Sequence, residues 1–156
     1  MLIRPTTFED LPELVAWERD TDTQGWLGKT GQAWHGSALT DSDQDHLVSD
    51  RDGVLSGFAV LAGVRRADRV VEIRRVVVSP ALRGAGFGRE LLRGLLTRAY
   101  KYHEASCVWL DVKVGNLRAR SLYESEGFTV NDAHPVAGAE TDDVPAALII
   151  MVHRRR

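Results

Sequence analysis

The chain has 156 residues, 44% of them hydrophobic and 27% charged, with a formal net charge of −2; these values suit one soluble globular domain spanning 1–156, with a core large enough to need no staples. One cysteine, Cys107, excludes an internal disulfide and reads as a small hydrophobe in an apolar run, no apolar stretch reaches the ~20 residues of a membrane helix, and Met1-Leu2-Ile3-Arg4-Pro5 has no signal-peptide core, so the expected location is cytoplasmic. The charge is uneven, with 4 basic and 11 acidic side chains in residues 1–52 against 16 and 11 in 53–156, which suits a cationic partner on the acidic part or simply two solvated faces.

Leu2-Ile3-Arg4 reads as a short strand, and Thr7 with Asp10 as an acidic capping box. Leu11, Leu14, Val15 and Glu18 follow at helical spacing, predicting a helix over 8–19. Residues 20–45 read as a loop with a short helix near 31–40, and His46–Ser49 and Val54–Val64 as strands joined by an Asp52-Gly53 turn. Arg69–Ser79 is rich in β-branched residues and ends at Pro80, as a central strand would. A helix over Gly86–Tyr102 carries Leu91, Leu92, Leu95, Leu96 and Ala99 on one stripe. Ser106–Val114 reads as a buried strand, Asn116–Glu126 as a helix, and Phe128–Val130 and Ala146–Val152 as closing strands around a polar loop at 131–145. Two strand–helix–strand units in the second half predict an α/β (α+β) fold, a mixed sheet with helices on both faces.

Between the central strand and the leucine-rich helix lies Arg83-Gly84-Ala85-Gly86-Phe87-Gly88-Arg89. A glycine-rich turn feeding a helix N-terminus is a phosphate-binding geometry, because the first amides of the helix have no internal partner and its dipole favours an anion. Arg83 and Arg89 would add positive charge. The spacing matches neither a P-loop nor the dinucleotide fingerprint. A glycine-rich turn without a ligand is the plainer alternative.

Arg83-x-x-Gly86-x-Gly88, followed by Asn116-x-x-Ala119-x-x-Leu122-Tyr123-x-x-x-Gly127-Phe128, resembles the two landmarks of the GNAT N-acetyltransferase superfamily. The likeness is good over 54–130 and reaches the N-terminal third only in element order. It implies the GNAT-like mixed, mostly antiparallel central sheet with helices on both faces. It also implies acetyl-CoA as acetyl donor co-substrate, with no metal, and transfer to a primary amine by direct attack in a ternary complex. The cofactor pyrophosphate would lie on Arg83, Gly84, Ala85, Gly86, Phe87, Gly88 and Arg89. The pantetheine arm would pair with Val76, Val77 and Val78, whose amides would also supply an oxyanion donor. Asn116 would contact the cofactor or cap its own helix. Tyr123 would protonate the leaving thiolate. Glu72, which strand alternation places with Arg74, Val76 and Val78, would act as base or simply pair with Arg74.

The acceptor is least defined. The resemblance directs attention to 20–45 and 131–145, where Glu18, Asp20, Asp22, Asp41, Asp43 and Asp45, with Trp17, Trp26 and Trp34, would suit a polyamine, amino sugar or basic peptide, or are ordinary loop and core residues. The five histidines lack metal spacing, Cys107 has no activating neighbour in sequence, and Arg154-Arg155-Arg156 reads as a solvated tail. The resemblance makes a homodimer plausible and implies neither a membrane nor a nucleic-acid partner. A non-catalytic acyl-CoA-binding sensor or interaction module is the rival reading; Glu72 and Tyr123 together favour the enzyme.

Overall fold

A computed structural model describes residues 1–20, 30–131 and 148–155. Within them the chain forms β1 (Leu2–Pro5), α1 (Leu11–Glu18), α2 (Gln32–Thr40), β2 (Gln44–Arg51), β3 (Val54–Ala62), β4 (Val70–Val78), α3 (Phe87–Thr97), β5 (Cys107–Lys113), α4 (Leu117–Ser125), β6 (Thr129–Val130) and β7 (Leu148–Arg154). The first helical turn is tighter than the sequence suggests. Phe8–Asp10 is a 3-10 turn in which the Asp10 carboxylate accepts from the Thr7 amide at 2.8 Å. The described strands make one sheet in the order β1-β2-β3-β4-β5-β7-β6, antiparallel except between β4 and β5. That parallel pair needs a crossover, which α3 and the π-helical turn Arg98–Tyr102 supply. No helix among the described residues is long and apolar enough to cross a membrane.

The sheet is covered on both faces. On one face Leu91, Leu92, Leu95 and Leu96 of α3 pack with Leu47, Ala59, Leu61, Val71, Ile73, Val108, Leu110 and Val112, and Leu122 and Tyr123 of α4 join them. On the other face Leu11, Leu14 and Trp17 of α1 pack with Val48, Phe58 and Val77. Neighbours in sequence, such as Leu47 and Val48, thus enter opposite cores, as the two-residue repeat of a strand requires.

One irregularity changes the face of half of β4. Leu61 pairs with Ile73 but Val60 pairs with Arg75, so Arg74 is an extra, bulged residue. A bulge resets the alternation. Val71 and Ile73 before it and Val76 after it all belong to the α3 face, whereas Val77 belongs to the α1 face. Glu72 therefore shares its face with Arg75 and Val77. The simple alternation that groups Glu72 with Val76 and Val78 fails here because it counts through the bulge.

Behind the α1 face lies a buried polar chain. Glu18 continues the stripe of Leu11 and Leu14 and is 2% exposed. Its carboxylate accepts from His35 Nε2 at 2.6 Å and from Arg75 Nη1 at 2.9 Å. His35 Nδ1 lies 2.8 Å from His46 Nε2, and His46 Nδ1 lies 2.7 Å from Thr6 Oγ1. Because a carboxylate only accepts, His35 donates to Glu18 from Nε2, and the roles of the remaining ring nitrogens follow the tautomer. Trp34 lies under the Arg75 guanidinium at 3.8 Å. The network ties α1, α2, β2, β4 and the residue that follows β1 together, and a partly satisfied version of it would be costly.

Burial holds the His46 imidazole down to about 4 from its ordinary 6.5, with the nearby His35 adding to the effect. A base depressed in this way contributes stability that is complete above the unfolded pKa near 6.5 and lost as pH falls toward 4. Urea unfolding at a series of pH values should show a loss of about 3 kcal/mol across that window. His46→Gln should remove most of that slope, and an unchanged slope in the variant would refute the assignment.

Candidate active site

β4 and β5 pair through only three residue pairs, Val70 with Cys107, Val71 with Val108 and Glu72 with Trp109. Beyond them the strands part. From Ile73 to Val78, β4 keeps β3 on one side, while no strand pairs with it on the β5 side among the described residues. Strand backbone groups need partners. An extended molecule bearing amides could supply them along Val76, Val77 and Val78, the segment that the sequence singles out.

That open edge leads straight into the glycine turn. After Ser79 and a 3-10 turn over Pro80–Leu82, Gly84 and Gly86 take left-handed φ values of +84° and +85°. Gly86 is the N-cap of α3 and offers no side chain to cap it. The first amides of an 11-residue helix are thus left for another acceptor. Gly84, Ala85 and Gly86 are exposed, and a Cβ on either glycine would meet nothing within 4 Å. Conformation rather than crowding therefore requires glycine here. Gly88 faces Val78 and Leu122 at ordinary contact distance.

The two arginines of the turn are engaged with carboxylates, which the sequence alone did not suggest. Arg83 Nη1 is 2.8 Å from Asp20 Oδ2, and Arg89 Nη1 donates to Glu126 Oε1 and Ser125 Oγ. Arg93 shares the same Glu126. Phe87 lies beneath the Arg51 guanidinium at 5.1 Å. Asn116 caps α4, its side chain accepting from the Ala119 amide at 3.3 Å.

Two carboxyl groups lie where the strands part, and the charge of one of them reaches a phenol on α4. Glu72 is half-buried, and Arg74 donates to its Oε1 from Nη2 at 2.9 Å and from Nε at 3.2 Å. Burial raises its pKa, Arg74 works against that rise, and Asp111 adds to it. Asp111 lies two residues beyond Trp109, the partner of Glu72, on the face opposite Val108, Leu110 and Val112. Glu72 and Asp111 thus share the α1 face. Burial raises Asp111 as well, with Arg74 partly offsetting it. Tyr123 comes from α4 on the other face, packed against the core with its ring 5.7 Å from Phe128. Burial, followed by the charge of Asp111, pushes its phenol up to about 12.

Asp111 is the candidate-site residue that the sequence reading leaves out. Its signal was a lone carboxylate inside the apolar strand Cys107–Lys113. The acidic residues that the sequence offers as acceptor lining have other partners. Glu18 is buried in its ion pairs, Asp41 accepts from Gln44, Asp43 accepts from the Arg65 amide, and Asp45 holds Arg98 and His103. Trp17 is core, and Trp34 stacks on Arg75. Asp22, Trp26 and nearly all of the 131–145 loop lie outside the described residues. Cys107 is half-buried at the start of β5.

Residues 11–128 match the family described as the acetyltransferase (GNAT) family. An uncharacterized N-acetyltransferase of Mycobacterium tuberculosis (strain ATCC 25618 / H37Rv) is 34% identical over 93 residues, covering 60% of this chain and 58% of its own length. The N-alpha-acetyltransferase RimI of the same strain is 38% identical over 92 residues, covering 56% of this chain and 54% of its own length. This chain thus spans under two thirds of the length of the curated relatives it matches. Among solved structures, the spermidine N-acetyltransferase of Vibrio cholerae in complex with CoA and spermine superposes with a TM-score of 0.80 at 19% identity, covering 98% of this chain and 94% of the other, a likeness of fold.

Substitutions in the turn should separate conformation from contact. Gly86→Ala forces a Cβ into left-handed backbone and should cost about 1–2 kcal/mol of stability by urea unfolding. Gly88→Ala, which lacks positive φ, should cost well under that, within the ~1 kcal/mol typical of a point change.

Proposed function

The chain belongs to the GNAT acetyltransferase family, and from that premise we propose that it transfers the acetyl group of acetyl-CoA to a primary amine within a ternary complex. The arrangement at the strand split carries the proposal: two carboxylates on one face, a neutral phenol on the other, and a β4 edge, uncovered by any described strand on the β5 side, that leads to a helix N-terminus without a side-chain cap.

Acetyl-CoA supplies the activated thioester. The turn from Arg83 to Gly88 would receive the pyrophosphate on its amides, with Arg89 just inside the helix. Val76, Val77 and Val78 would bind the pantetheine amides as an added strand, and one of their N–H groups would face the developing oxyanion. Both reactants then meet in register, which removes much of the entropic barrier.

Proton handling follows from the two faces. A primary amine with a pKa near ~10 is mostly protonated at neutral pH and must lose a proton before it attacks. Glu72 and Asp111 stand on the α1 face, and both carboxyl groups are raised by burial. A raised carboxylate is a stronger base, nearer in pKa to the proton it must accept. Arg74 occupies Glu72, whereas Asp111 has no hydrogen bond or ion pair to a side chain among the described residues. We assign the base to this pair rather than to Glu72 alone. Tyr123, on the opposite face, stays protonated through neutral pH and would donate to the departing thiolate. The same pair of carboxylates would favour a cationic acceptor, and the acceptor class proposed is a small cationic amine or peptide amine, as in the spermine complex of the Vibrio cholerae structure.

Thiol release from acetyl-CoA, measured against a panel of polyamines, aminoglycosides, amino acids and basic peptides, tests this reading. Release should depend on one amine class. Tyr123→Phe should lower kcat about 10²–10⁴-fold, with the KM for acetyl-CoA little changed. The rate should rise with pH through a pKa above the ordinary carboxylate value, and Glu72→Gln or Asp111→Asn should abolish that limb. A phenol near 12 leaves no alkaline limb from Tyr123 at neutral or mildly basic pH. Binding of acetyl-CoA without release to any amine would favour a sensor, and no binding would overturn the proposal.

A further inference from the structure

The end of α1 is held at two points two residues apart. Glu18 reaches inward to Arg75 on β4, and Asp20 reaches across to Arg83 at the head of the glycine turn, 2.8 Å away. The two pairs differ in kind. The Glu18–Arg75 pair is buried, with side chains 1% and 8% exposed, and is locked further by His35. The Asp20–Arg83 pair is only partly buried, at 30% and 25%. An ion pair that solvent reaches is worth little, so its partners can be exchanged at small cost. It also sits where the proposed function brings two negatively charged phosphates, and a guanidinium binds phosphate at least as well as carboxylate.

We infer that Asp20 is an exchangeable anion for Arg83: it holds the arginine beside the turn in the free protein and yields it to the pyrophosphate when the cofactor binds. The inference rests on the acetyl-CoA reading of the turn. Two consequences follow from linkage. Asp20 competes with the cofactor, so its carboxylate lowers cofactor affinity. In return, an occupied turn gives up one of its ties to the end of α1, while the buried Glu18 tie persists. Asp20 is thus a positioning residue: it acts through Arg83 and touches no reacting atom.

The test is CoA binding by titration calorimetry, with pantetheine, which lacks the pyrophosphate, as the second ligand. Asp20→Asn should tighten CoA binding about two- to fivefold, the range that an exposed ion pair can return. Pantetheine binding should not change, and Asp20→Glu should restore wild-type CoA affinity. Arg83→Ala should weaken CoA binding, and Asp20→Asn added to it should have no further effect. Circular dichroism and unfolding midpoints of each variant report whether it folds. Unchanged or weaker CoA binding by folded Asp20→Asn would overturn the inference, because Asp20 would then support the bound state. A pantetheine affinity that moves in parallel would overturn it too, since the effect would not pass through the pyrophosphate. If the wild-type chain binds pantetheine but not CoA, or neither, the acetyl-CoA reading itself fails.

Discussion

β4 and β5 run side by side for three residue pairs and then separate. Beyond that point no strand among the described residues lies on the β5 side of β4, and exposed strand backbone is tolerated only where solvent or another partner can reach it. The gap also decides what can meet there. The Tyr123 phenol, on the α4 side, is raised by burial and then by the charge of Asp111, which stands on the α1 side. The same edge runs directly into the turn whose glycines start α3 without a cap. Strand edge, helix N-terminus and titratable carboxylates lie around this one divergence.

The charges of the molecule divide into those spent on folding and those left near the split. The acidic excess of residues 1–52 looks like a recognition surface when read along the chain. In three dimensions Glu18, Asp43, Asp45 and Asp20 hold Arg75, the Arg65 amide, Arg98 with His103, and Arg83 in place. Glu18 is the extreme case, a carboxylate on the apolar stripe of α1 that is compensated by His35 and Arg75. Burying such a group is acceptable only because both of its oxygens are satisfied. The carboxylates at the split, Glu72 and Asp111, come from strands of the basic remainder of the chain.

Arginines beside the glycine turn follow the same division. Arg89 is drawn back to Glu126, which also holds Arg93, and Arg83 is drawn to Asp20. The turn therefore presents chiefly backbone amides and a helix dipole, which cost no reorganisation when an anion arrives. Side-chain charge is added only by exchange of ion partners.

The sequence by itself determined the element order, the strand running into a glycine turn, and the helix opened by Asn116 and closed before Gly127-Phe128. These are local: each is written in contiguous residues whose backbone preferences or capping groups act within a few positions. It also placed Tyr123 on the helix that follows β5. Tertiary structure alone decided the rest. Whether Glu72 shares a side with Val76 and Val78 depends on the bulge at Arg74, which exists only as a mismatch of register with β3. The relation of Asp111 to Glu72 depends on the β4–β5 register, across an intervening helix. The partners of Glu18, Asp20 and Asp45 lie 63 residues away or less but never within reach along the chain. Periodicity fixes which residues of one segment share a side; only packing fixes what that side meets.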